Sequence, residues 1–121
     1  MLFRSASTTT SATNLYTVNS IAGTNAASIK ATGGNLYGLS IMNASGGSRY
    51  IRLYNKATAP VVGTDIPIMV IAVATNSSKE IQYVPALRFS NGIAISITGA
   101  AQVLNSTAIA AGDVQLLVSY A

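Results

Sequence analysis

The chain has 121 residues, half of them hydrophobic, and a formal net charge of +4. Charged residues make up only 8% of it, against about 25% in an ordinary soluble domain. Such a surface must be solvated by Ser, Thr, Asn and Gly or hidden against partners, and the absence of cysteine and histidine excludes a disulfide framework, a thiolate zinc site and the commonest general base.

The length suits one domain. Residues 5–13 read SASTTTSAT. A small, polar, repetitive stretch cannot bury enough apolar area to order itself. Residues 1–14 are therefore expected to form a flexible arm, or one ordered against a neighbour, ahead of a single β-sandwich domain over 15–121. Residues 1–7 hold no apolar h-region, so no signal peptide is expected. The longest apolar run, residues 67–74, falls far short of the ~20 residues of a membrane helix.

From there short β-rich segments alternate with turn clusters. Residues 15–21 set Leu15, Thr17 and Asn19 against Tyr16, Val18 and Ser20. Residues 26–30 predict a weak strand, followed by the turn Thr32-Gly33-Gly34-Asn35. Residues 36–43 place Tyr37, Leu39 and Ile41 on one face, and residues 44–48 form a glycine-bearing loop. Residues 49–55 send Ile51 and Leu53 inward and Tyr50, Arg52 and Tyr54 outward, the period-two signature of a half-buried strand. Residues 56–66, with Pro60 and Gly63, form a connection.

Residues 67–73 are an apolar, β-branched run suited to a buried strand, and residues 75–78 turn. Residues 79–84 predict a strand ended by Pro85. Asn91-Gly92 is a strong tight-turn signal. Ile93, Ile95 and Ile97 then alternate with Ala94, Ser96 and Thr98. Residues 103–109 read either as a short strand or as a loop. The last strand, residues 113–120, carries Val114, Leu116, Val118 and Tyr120 on one face. About eight evenly spaced short strands without a helical period indicate an all-β antiparallel sandwich, jelly-roll-like or barrel-like.

Asp65, Glu80 and Asp113 are the only acids. A glycosidase pair needs two carboxylates, but these lie on separate segments, and Asp65 and Asp113 sit in ordinary turn positions. No Walker loop and no dinucleotide fingerprint is present. An enzyme is not expected, and neither is a cofactor, metal or small-molecule substrate.

One constellation stands out. Tyr50, Arg52, Tyr54 and Lys56 recur at i, i+2 and would project from one strand face. Such a row can stack on single-stranded nucleic acid, anchor a protein interface, or form an ordinary outer strand face. Nucleic acid ranks last, because seven basic residues on the whole chain make no basic groove.

Several stretches carry a resemblance. They are Asn35-Leu36-Tyr37-Gly38-Leu39, Arg49 through Ala57 (RYIRLYNKA), Ala59 through Pro67 (APVVGTDIP), Phe89 through Ala94 (FSNGIA) and Ala110 through Val114 (AAGDV). Over roughly residues 35–120 the chain resembles a family of small structural proteins of tailed bacteriophages. The resemblance implies a virion β-sandwich or jelly roll made in the host cytoplasm. The preferred role is capsid decoration, or cement: homotrimers or homodimers on the outer face of the head, clamping assembled major capsid protein. No nucleic-acid or membrane partner is expected. The competing class is a tail-fibre, baseplate or neck module that binds a host-surface glycan or another virion protein. The candidate contacts are Arg49, Tyr50, Arg52, Tyr54, Lys56 and, on the arm, Arg4.

Overall fold

The computed structural model describes residues 14–121; residues 1–13 of the expected arm, Arg4 included, lie outside the described residues, and Asn14 belongs to the first strand. Eight strands form, and no helix is found among the described residues. They are β1 (Asn14–Asn19), β2 (Ala27–Lys30), β3 (Gly34–Asn43), β4 (Arg49–Asn55), β5 (Met69–Val73), β6 (Ser77–Phe89), β7 (Ile93–Thr98) and β8 (Val114–Tyr120).

The strands make two four-stranded sheets, ordered β1-β8-β3-β6 and β2-β7-β4-β5. Every pairing is antiparallel. The chain behaves like one long ribbon folded in half: β1 pairs β8, β2 pairs β7, β3 pairs β6 and β4 pairs β5. Only the β4–β5 connection stays within one sheet; every other connection crosses to the opposite sheet. This is the eight-stranded jelly roll, and it fulfils the expected fold class.

The period-two apolar residues meet between the sheets. Leu36, Leu39, Ile41, Val114, Leu116 and Val118 face Ile51, Leu53, Ile93, Ile95 and Ile97, all nearly or fully buried. Burying side chains of this kind stabilises by roughly 1.5–3 kcal/mol each, and most of them are β-branched residues that suit a pleated surface. Asn43 ties the two sheets at one end. Its buried Nδ2 donates to the carbonyls of Val73 and Ala74 across the core, and to Gly47.

Two strands depart from the expected pattern. Leu36, not Tyr37, joins Leu39 and Ile41 in the core, because the β3–β6 register shifts between Leu36 and Gly38. Pro85 does not end β6, which runs on to Phe89. Leu36 pairs with Leu87 and Gly38 with Gln82, so residues 83–86 bulge opposite Tyr37 alone. A proline without an N–H is tolerated in such a bulge on an edge strand. Residues 103–109 form a loop whose one ladder contact is the bridge between Ile109 and Gly23.

Candidate interaction surface

The row Tyr50, Arg52, Tyr54, Lys56 lies on the outer face of the β2-β7-β4-β5 sheet, but that face is not open. Arg52 is completely buried and Tyr54 is 2% exposed. All six residues of β7 are buried, including the outward-facing Ala94, Ser96 and Thr98. The expectation that Arg52 and Tyr54 point to solvent is therefore corrected. The β7–β8 connection folds back over the sheet and encloses Arg52, while Pro60 of the β4–β5 connection is also buried.

Arg52 organises the cover. Nε donates to Thr98 Oγ1 at 2.8 Å, one terminal nitrogen to the Val103 carbonyl at 2.8 Å, and the other to the Ala100 and Gln102 carbonyls at 2.7 Å each. No carboxylate pairs with it among the described residues. A buried charge without a counter-ion is costly; here the converging carbonyl dipoles offset that cost. Beside it, the Tyr54 hydroxyl and Ser96 Oγ share a buried hydrogen bond of 3.0 Å.

The other two candidate cations described, Arg49 ahead of the row and Lys56 at its end, are engaged as well. Arg49 pairs with Asp113 at 3.0 Å, and Lys56 pairs with Asp65. Both carboxylates close their own turns: Asp65 accepts the Val61 N–H and Asp113 the Ala110 N–H. The Lys56 hydrogen bond, then the Val61 N–H, hold the Asp65 carboxyl below the ordinary carboxylate range. The Ala110 N–H does the same for Asp113, with Arg49 adding to it and partial burial opposing it. Two of the chain's three acids are thus structural. Tyr50, Arg49 and Lys56 remain half-buried rather than freely exposed.

This side also presents apolar side chains to solvent. Val61, Ile66, Ile68, Val103 and Leu104 are between 50% and 71% exposed. They belong to two connections that touch: a Cβ at Gly63 would lie 3.5 Å from Ser106 Cβ and 3.7 Å from the Leu104 carbonyl. Sequence reasoning missed this surface, since each residue sits in a segment read as connection or loop. The signal lay elsewhere. β7 sets small Ala94, Ser96 and Thr98 beside long Tyr54, Arg52 and Tyr50, leaving room for the long side chains to lie flat under a cover.

The opposite sheet carries an open groove of about 1030 Å³ on its outer face. Gly38, Ser40 and Ser119 line its middle, Leu15 and Leu117 one side, and Glu80, Val84 and Pro85 the other. Among the described residues no group of His, Cys, Asp or Glu could hold a metal ion, and no helix is long and apolar enough to cross a membrane.

No family model matches the chain. No curated protein matches it either. Among solved structures, the coat protein of Tobacco streak virus is similar over 90% of this chain and 87% of that one, at 12% identity and a TM-score of 0.38.

Proposed function

We propose that this protein is a structural component of a virion, and that it decorates and stabilises a tailed-phage capsid by binding assembled major capsid protein as a homo-oligomer. The observation that carries the reading is the apolar loop surface over Arg52. Jelly rolls serve in capsid and lectin domains and in cupins, and a chain without histidine lacks the usual imidazole ligands of a metal-binding cupin. Within residues 61–68 and 103–104 the one ionisable side chain, Asp65, is paired with Lys56, and Arg52 holds the Val103 carbonyl from beneath. A pre-organised apolar surface loses little entropy on docking. A patch of this kind marks an interaction site rather than a solvated face.

A protein that binds only the assembled shell stabilises it by mass action, and repetition over the shell multiplies the effect. Two measurements test the reading. Quantitative gels of purified particles should give hundreds of copies per virion; a few copies would overturn decoration in favour of a tail or fibre module. Ile66→Asp and Val103→Asp should abolish co-sedimentation with assembled shells while the far-UV spectrum stays unchanged.

A further inference from the structure

We infer that the groove on the β1-β8-β3-β6 sheet is a docking site for this chain's own N-terminal residues, with Leu2 and Phe3 on its apolar walls and Arg4 against Glu80. The proposal stands apart from the virion reading and concerns the isolated protein.

The groove is shaped for a strand-like segment. Gly38 pairs with Ser119 on β8, and Ser40 lies two residues further along β3, so the floor over β3 carries little side-chain bulk, with Gln82 beside it on β6. Apolar side chains rise on both flanks: Leu15 is 67% exposed on one strand and Val84 84% on the bulge of another. Exposed apolar walls around a shallow floor are costly to leave in water.

The groove contains one charge, Glu80, which has no ion pair among the described residues although Asp65 and Asp113 both do. Residues 1–4 read MLFR: three apolar residues and a single cation. No other charged side chain occurs ahead of Asn14. The apolar and charged parts of segment and groove therefore correspond.

The tether also has the right length. Residues 5–13 are nine Ser, Thr and Ala residues leading into Asn14; a polar linker of that length has an r.m.s. span of about 17 Å. Glu80 is level with Ser40, Leu117 and Thr17 across the sheet. From Asn14 it is therefore three strand spacings across and three residues along, about 18 Å. Effective concentration is highest when the r.m.s. length of a linker matches its span, which favours the chain's own segment over that of a second copy.

The cysteine-free chain allows a clean test on the full-length protein. Phe3→Cys combined with Val84→Cys should form an intramolecular disulfide under oxidised glutathione at least tenfold faster than Phe3→Cys combined with Val61→Cys, which lies in the β4–β5 connection. Adding Arg4→Glu should slow the first reaction about two- to fivefold, as losing an exposed ion pair does, and adding Glu80→Arg as well should restore it. Equal rates at the two positions would overturn the proposal. So would covalent dimers outnumbering cross-linked monomers, which would give the groove to a second copy. Trypsin on the protein without added cysteines provides the independent measurement: cleavage after Arg4 should speed up about two- to fivefold in Glu80→Gln, and an unchanged rate would count against docking.

Discussion

Arg52 Nε donates to Thr98 Oγ1 at 2.8 Å across the β4–β7 ladder, and the rest of the same guanidinium holds the loop that starts just beyond Thr98. One side chain therefore joins the floor of the surface to its cover. Val103 and Leu104, displayed there, owe their arrangement to a charge that solvent never reaches.

Removing that charge should be costly. Arg52→Met takes the guanidinium from three partly buried carbonyls: Ala100 keeps the Thr98 hydroxyl and Gln102 the Asn105 N–H, while Val103 loses its donor. The expected loss is about 1–3 kcal/mol, the cost of one unsatisfied buried group. Arg52→Lys keeps the charge but not the planar fork that reaches four acceptors, and it should fall between Met and the native residue. Denaturant midpoints check both.

Tyr54→Phe and Ser96→Ala should each cost about 1–2 kcal/mol, because each leaves the partner hydroxyl buried and unpaired. The double variant should cost less than the two summed. A double-mutant cycle in urea measures that coupling; strict additivity would mean the two hydroxyls do not support one another.

Gly92→Ala should destabilise strongly. A Cβ there would lie 2.6 Å from the Lys30 carbonyl oxygen, 2.7 Å from that of Lys56 and 2.8 Å from Ala57 Cα. All three are backbone atoms, so no side chain can swing away. A loss of about 2–4 kcal/mol is expected, in the range of severe overpacking, read from the thermal midpoint.

Acid should loosen the turns around the surface. Asp65 and Asp113 have depressed pKa values in the folded chain, and an unfolded Asp titrates near 3.9. Their contribution is fully present above the unfolded value and is lost as pH falls through the folded values. Stability should therefore be level above about pH 5 and decline below about pH 4. Asp65→Asn and Asp113→Asn should each flatten that decline in pH-dependent melting.

Much of the fold is legible in the sequence. The β4 boundaries at Arg49 and Asn55 and the inward Ile93, Ile95 and Ile97 follow from period-two alternation alone. So does the inward face of β8 from Val114 to Val118. The cover over β4 is not legible, because alternation reports which residues share a face and not what lies upon it. Arg52 looks like a solvent-facing cation until the carbonyls of residues 100–103 come to meet it. Pro85 misleads for a related reason: its penalty applies to a central strand, and β6 is an edge.

Three of the four bonds made by Arg52 end on main-chain oxygens, and every residue type has one. Shape and chemistry are thereby uncoupled on this side of the molecule. The side chains at Ala100, Gln102 and Val103 can be exchanged without removing an acceptor that fixes the path of the loop. The surface is thus open to rewriting: new side chains could be displayed on it for new partners while the frame below stays the same.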